Sequence, residues 1–412
     1  MKYGCIGERL GHSFSKEIHS LIADYEYVLK ELAPDDVAPF LEKSNFLAIN
    51  VTIPYKEKVI PYLSHIDDAA RLIGAVNTVV NRGGELFGYN TDFYGMSKLA
   101  EHAKIDFCEK KVLILGTGGT SKTAYAVAKA HGATSIVKAS RNPSKDAVSY
   151  TDVYKYHTDS EIIINTTPLG MYPNIFGKPI ELYKFPKLYG VLDAVYNPIN
   201  TPLILEARKL GIRAEGGLYM LVAQGVRASE IFLDTKYDES TTDLVYEKIR
   251  ADKQNIVLIG MPASGKTTVG KLIAEKLGRR FIDTDDVILK KQGKEITEIF
   301  AEGGEPAFRN FEAEAIAEVS AMSSAVIATG GGAILRKDNV DALSENGKIY
   351  FIDRPLDMLI PTGDRPTAST KEAISKRFSE RYDLYRAASD VAVDGSAAAT
   401  DVAKTIIEDF FG

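Results

Sequence analysis

Ile256-Val-Leu-Ile-Gly260-Met-Pro-Ala-Ser-Gly265-Lys266-Thr267 is an apolar run that breaks into a glycine-bounded loop and continues as a helical pattern over 267–277. It fills every defined position of G-x-x-x-x-G-K-[ST], with the strand before and the helix after that the pattern requires. In such a loop the backbone N–H groups cradle phosphates. Lys266 would reach the β/γ oxygens and the Thr267 hydroxyl would ligate Mg²⁺. Upstream, a second strand at 112–115 gives way to Gly116-Thr-Gly118-Gly119-Thr120-Ser121 and a helical run at 122–131. Glycines there let a backbone approach a pyrophosphate, which a helix N-terminus stabilises. The third fingerprint position, normally Gly or Ala, is Ser121, so a tight turn without a ligand stays open. The next strand ends in Ser140-Arg141-Asn142, with Lys145 nearby. A basic residue in place of a carboxylate favours the 2′-phosphate of NADP.

Working outward, short apolar runs alternate with helical patterns throughout, which reads as α/β. Strands are expected at 3–6, 46–53, 75–81, 112–115, 135–139, 162–165 and 191–194, with an amphipathic stretch at 55–63. A terminal helix at 241–250, capped by Thr242 or Asp243, precedes a join of four residues, 251–254, without Gly, Ser or Pro. At 412 residues the chain makes two or three domains. A 45% hydrophobic, 26% charged composition is that of an ordinary globular protein. The net charge of −6 disfavours a grip on nucleic acid or on an anionic membrane. Two cysteines, Cys5 and Cys108, suit a reducing cytoplasm, and no apolar run reaches the roughly 18 residues of a membrane span.

Four polar clusters stand where strands give way to loops: Ser13-Phe-Ser15, Asn50-Val-Thr52-Ile-Pro-Tyr-Lys56, Gly74-Ala-Val-Asn77-Thr and Gly88-Tyr-Asn90-Thr91-Asp92. Ends of strands are where α/β sheets hold ligands. Taken singly, Thr52 and Asp92 also read as helix N-caps and Lys56 as a solvated lysine.

Together with Asn165-Thr-Thr-Pro-Leu-Gly-Met171, Asp193-Ala-Val-Tyr196-Asn-Pro198 and Leu221-Val-Ala-Gln224, these clusters make residues 1–250 resemble shikimate dehydrogenase. The resemblance implies a substrate-binding domain (1–93 and 217–250) and a Rossmann-like NADP domain (94–216). Ser13 and Ser15 would hold the substrate carboxylate. Asn50, Thr52, Asn77, Asp92, Tyr196 and Gln224 would hold the rest of the ring, and Lys56 with Asp92 would form the catalytic pair. Cofactor contacts would fall on Gly116, Gly118, Gly119, Thr120, Ser121, Ser140, Arg141, Asn142, Lys145, Ala194 and Gly217. Lys16 departs from the proline common in the family.

Residues 255–412 resemble shikimate kinase through the phosphate loop, Asp283-Thr-Asp285, Gly304-Glu305-x-x-Phe308-Arg309-x-x-Glu312, Gly330-Gly331-Gly332, Arg365-Pro366 and Arg381-x-x-Leu384-Tyr385. This implies a P-loop α/β domain with a parallel sheet, of nucleoside-monophosphate-kinase type. ATP would contact Gly260, Ala263, Ser264, Gly265, Lys266, Thr267, Thr268 and a lid residue, Arg365. Asp285, Arg309, Gly330, Gly331, Gly332 and Arg381 would bind shikimate, with Asp285 as base, while Asp283 would hold Mg²⁺ through water. The alternative for Arg309 and Glu312 is a surface pair at i, i+3. The lid is short, and the arginine usual just before it is missing.

The whole reads as a cytoplasmic bifunctional enzyme of aromatic biosynthesis, monomer or homodimer. It would reduce 3-dehydroshikimate with NADPH and phosphorylate shikimate with Mg·ATP, without nucleic-acid or membrane partners. The rival reading is a quinate/shikimate dehydrogenase with a shikimate-binding but weakly active or regulatory kinase half.

Overall fold

Three β-sheets organise the described residues of this computed structural model, which are 1–11, 13–172, 177–360 and 370–412. Two sheets lie in the unit Met1–Ile249 and one in the unit Arg250–Gly412. Arg365 falls outside the described residues. Among those residues no helix is long and apolar enough to cross a membrane.

The first sheet is mixed, in the order β2-β1-β3-β5-β6-β4, built from β1 (Tyr3–Gly7), β2 (Tyr27–Glu31), β3 (Ala48–Val51), β4 (His65–Ile66), β5 (Thr78–Arg82) and β6 (Glu85–Tyr89). Strands β2, β4 and β6 lie outside the stretches expected to be strands. Yet Gly83-Gly84 between β5 and β6, both at positive φ (66° and 98°), is a readable two-residue hairpin signal. Helices α1 (Ser15–Ile22), α2 (Val37–Lys43), α3 (Asp68–Ile73) and α4 (Thr91–His102) connect and flank these strands. The stretch at 55–63 is not a helix. It is a run of turns with one 3₁₀ turn, Ile60–Tyr62. Pro61 lacks the N–H a helix would use, and Tyr55 buries its ring with its hydroxyl donating to the Leu32 carbonyl at 2.6 Å.

The second sheet is wholly parallel, in the order β11-β10-β9-β7-β8: β7 (Lys111–Leu115), β8 (Ser135–Ala139), β9 (Ile162–Asn165), β10 (Gly190–Asp193) and β11 (Arg213–Glu215). The order reverses beside β7, a switch point where such sheets open a crevice for ligands. From β7 the chain enters α5 (Gly119–Ala130), which begins three residues earlier than expected. After α6 (Tyr150–Tyr156) and α7 (Pro202–Lys209), the chain returns to the first sheet. There α8 (Leu218–Leu233) packs on α1 and α4 through Ile18, Met96, Leu99, Val222 and Val226. Helix α9 (Thr241–Lys253) takes in both expected caps and three of the four expected join residues, because no Gly or Pro interrupts it. Asp243 instead accepts from the Tyr219 hydroxyl at 2.6 Å.

The last sheet is also parallel, in the order β13-β14-β12-β15-β16: β12 (Asn255–Ile259), β13 (Arg280–Asp283), β14 (Ala325–Ala328), β15 (Gly347–Asp353) and β16 (Val391–Asp394). Helices α10 (Lys266–Leu277), α11 (Thr284–Gln292), α12 (Ile296–Ser320), α13 (Lys337–Asn346), α14 (Lys371–Ala388) and α15 (Ala399–Phe411) complete the unit. The long α12 kinks at Gly304 (φ 67°, ψ −173°), a conformation only glycine adopts readily.

Near the end of α13, Glu345 is buried, and burial with Asp341 one turn away pushes its carboxyl up to about 8. Because the same carboxyl titrates near 4.5 in the unfolded chain, its contribution is fully present only below about 4.5 and is lost progressively as pH rises from there through about 8. Glu345→Gln is expected to flatten the pH dependence of thermal unfolding and to raise Tm at pH 9 by at least about 5 °C. A melting series from about pH 5 to 9 checks this.

Candidate functional site

In the first unit the end of β3, the start of β5 and the start of α4 converge. Asn90 is the N-cap of α4, accepting from the N–H groups of Asp92 and Phe93, while its Nδ2 donates to the Ala75 carbonyl at 2.8 Å. Capping is therefore the work of Asn90, and the Asp92 carboxylate is left for other partners. Its Oδ2 accepts from Lys56 Nζ at 2.5 Å and its Oδ1 from Asn77 Nδ2 at 2.9 Å. Asn77 is fixed in turn by the Thr91 N–H, and the Thr91 hydroxyl lies 3.3 Å from Gln224 Oε1. Lys56 and Asp92 are 24% and 14% exposed, so the pair is shielded from bulk water yet reachable by a small ligand.

Ser13 and Ser15 meet hydroxyl to hydroxyl at 3.0 Å, and the Tyr196 ring stands edge-on to Phe14 between them. Thr52 is half-buried at the end of β3, its N–H on the Ile6 carbonyl. Asn50 differs from the sequence expectation. It is buried, with its oxygen taking the Tyr27 hydroxyl at 2.7 Å and its Nδ2 facing the Asn77 carbonyl and Thr78 Oγ1. Its polar atoms are spent tying β3 to β5, which positions Asn77. A second support opens one of the motifs that carry the resemblance, where the sequence assigned it no role. Asp193 is buried at the end of β10, where burial pushes its carboxyl up to about 7 against the pull of Thr201, Asn165 and the Val195 N–H. It anchors the segment that carries Ala194 and Tyr196. The signal for it was an acidic residue closing an all-apolar strand.

At the switch point, α5 starts from Gly118 without any side-chain cap, so its first N–H groups face outward. A Cβ at Gly118 or Gly119 would meet nothing within 4 Å, and Gly116 takes φ 105°. An uncapped helix start beside open space fits a dinucleotide pyrophosphate. Ser121 is buried and its hydroxyl donates to the Gly118 carbonyl at 2.6 Å, so it holds the turn rather than facing outward. Ser140 Oγ accepts from the Asn142 N–H, while Arg141 and Lys145 are exposed. Gly217 comes so close to Ala194 that a Cβ would lie 2.3 Å from its carbonyl oxygen.

In the second unit, Gly260 and Gly265 (φ 150° and 96°) shape the loop between β12 and α10. Lys266 Nζ donates to the carbonyls of Gly260 and Met261 at 2.9 and 2.8 Å, and Ser264 Oγ is buried with no hydrogen-bond partner among the described residues. Ala263 lines the same loop, and Thr268 is exposed. Thr267 Oγ1 donates to Asp283 Oδ2 at 2.9 Å. Asp283 caps α11 through the Asp285 N–H. A hydroxyl against a carboxylate at the foot of a phosphate loop is the oxygen donor set a Mg²⁺ ion takes.

Across from it, the triple glycine is enclosed by charge. A Cβ at Gly330 would lie 2.9 Å from Glu312 Oε1 and 3.0 Å from Asp285 Oδ1. At Gly332 a Cβ would collide with the Arg309 guanidinium, and Arg381 Nη1 donates to the Gly331 carbonyl at 3.1 Å, as does the Tyr385 hydroxyl. Arg309 and Glu312 do pair, at 2.7 Å, but the Glu312 side chain is 0% exposed, so this is no surface pair. Arg309 also reaches Glu305 at 2.9 Å.

A shikimate dehydrogenase (NADP(+)) of Clostridium perfringens is 38% identical over 266 residues, covering 60% of this chain and 98% of its own length. The chain belongs to the shikimate dehydrogenase family. Residues 5–79 match the family model for the shikimate dehydrogenase substrate binding domain. Among solved structures, a chorismate mutase/shikimate 5-dehydrogenase fusion protein from Clostridium acetobutylicum is similar at 34% identity and TM-score 0.57, with 60% of this chain and 96% of that one covered. Shikimate dehydrogenase 1 from Peptoclostridium difficile aligns at 34% identity and TM-score 0.55, over 60% and 98%. Beyond the dehydrogenase unit, residues 262–410 match the family model for shikimate kinase.

Proposed function

We propose that the chain is a bifunctional enzyme in which the dehydrogenase unit reduces 3-dehydroshikimate to shikimate with NADPH and the kinase unit phosphorylates shikimate with Mg·ATP. The observation that carries the first activity is the Lys56–Asp92 pair, supported by Asn77 and Gln224. Lys56 donates a proton to the oxygen that gains negative charge, and Asp92 orients the ammonium and a ring hydroxyl. Ser13 and Ser15 hold the carboxylate end, and Tyr196 helps to hold the ring. When bound, the nicotinamide supplies the hydride. For the kinase, Lys266, Thr267 and the loop backbone hold the nucleotide, which supplies the phosphoryl group with Mg²⁺ offsetting its charge. Asp285 orients and deprotonates the attacking hydroxyl, and Arg309 and Arg381 clamp the carboxylate, a task suited to the planar guanidinium fork.

A coupled assay of the purified chain tests both halves at once: 3-dehydroshikimate, NADPH and Mg·ATP are supplied, and NADPH loss and shikimate 3-phosphate are followed together. NADPH loss without shikimate 3-phosphate would remove the kinase half of the reading. The exposed Arg141 leads to a separate expectation. Arg141→Ala should cut the preference for NADPH over NADH at least about tenfold in kcat/KM through loss of 2′-phosphate contacts. Equal use of both cofactors by the unmutated chain would refute the assignment. Both cysteines are unpaired, Cys5 buried and Cys108 exposed, which supports residence in the reducing cytoplasm.

A further inference from the structure

Arg377, Arg381 and Tyr385 follow one another at four-residue intervals on α14 and share one face of it. The last two are committed to the Gly331 carbonyl. Arg377 is placed differently. Its Nη1 is buried and has no hydrogen-bond partner among the described residues. From α12, Arg309 reaches the same region, with its guanidinium over Gly332 and paired to Glu305 and Glu312. Burial lowers the affinity of Arg377 for its proton, Arg381 and Arg309 lower it further, and Glu305 and Glu380 offset them. Three guanidiniums thus crowd together with the buried Arg377 Nη1 unspent, an arrangement that an anion would relieve.

We infer that Arg377 is a third guanidinium arm on the carboxylate of the kinase substrate, beside Arg309 and Arg381. The inference rests on the kinase reading above. A carboxylate offers about four acceptor sites, more than the bonds of two arginines need fill. Arg377 would then tighten the grip on an anionic ring acid and discriminate against neutral analogues, without touching the phosphoryl group.

The test uses the full chain, unmutated and as Arg377→Gln and Arg377→Lys. Kinase kinetics, the Kd of the kinase site for shikimate (from the shikimate dependence of single-turnover phosphoryl transfer), dehydrogenase activity and Tm are measured for each. Arg377→Gln is expected to raise KM and Kd for shikimate about 10- to 100-fold, the range for a charge-assisted hydrogen bond. Its kcat and its KM for ATP should stay near the unmutated values, with Tm unchanged or higher because a like charge is gone. Arg377→Lys should recover part of the affinity. Unchanged KM and Kd for shikimate in Arg377→Gln would overturn the inference. So would a fall in Tm with shikimate and ATP weakened alike, which marks a structural role. An unmutated chain that does not phosphorylate shikimate overturns the kinase reading itself, and the inference with it.

Discussion

Lys56→Ala is expected to lower the dehydrogenase kcat by about 10²–10⁴, the range for removing a positioned proton donor, with a smaller change in KM. Lys56 hydrogen-bonds to Asp92 at 2.5 Å, and the pair is only partly exposed, where an ammonium stabilises a developing alkoxide better than water does. Asp92 keeps its bond from Asn77 in the mutant, so the pocket should survive and the deficit should appear in turnover. Kinase activity of the same protein is the internal control and should not change. Near-normal dehydrogenase turnover would take Lys56 out of the mechanism.

For the kinase, Asp285→Asn should reduce phosphoryl transfer by about 10²–10⁴ while ATP affinity stays close to normal. The carboxylate of Asp285 faces Gly330, where a Cβ would approach it to 3.0 Å, beside Glu312. An amide there retains the shape and much of the hydrogen bonding, but it cannot take up the proton of the attacking hydroxyl. Nucleotide binding depends on other groups, Lys266, Thr267 and the loop backbone. A mutant that turned over well but had lost ATP would move Asp285 to a structural role. Single-turnover kinetics with titrated ATP separates the two results.

Several residues had two readings in the sequence that only packing could separate. Asp92 read both as a helix N-cap and as a ligand contact, and the structure gives the cap to Asn90. The choice fell to Asn90 because its amide also bonds the Ala75 carbonyl, a contact made by folding rather than by helix formation. Asn50 sits in a polar cluster and read as a ligand contact, but its partners lie on other strands of its own sheet, Thr78 on the adjacent β5 and Tyr27 on β2, beyond β1. The Arg309–Glu312 spacing is the same for a solvated pair and for a buried one; the glycines at 330–332 bury it. Arg377 was one charge among many on α14, with nothing local to single it out.

What the sequence by itself determined were the two glycine turns, the strands that feed them, and the α/β character of both units. These rest on short-range physics: the φ angles open to glycine, the uncapped N–H groups at a helix start, and the apolar periodicity of each element. What only the tertiary structure decided were the partnerships: Lys56 with Asp92, Asn77 with Thr91, Arg381 and Tyr385 on the Gly331 carbonyl. These residues lie 36, 14, 50 and 54 positions apart, so no local rule of spacing relates them. They meet because the sheets and helices bury their apolar faces first and leave those polar groups facing one another, where burial makes an unmatched donor or acceptor costly.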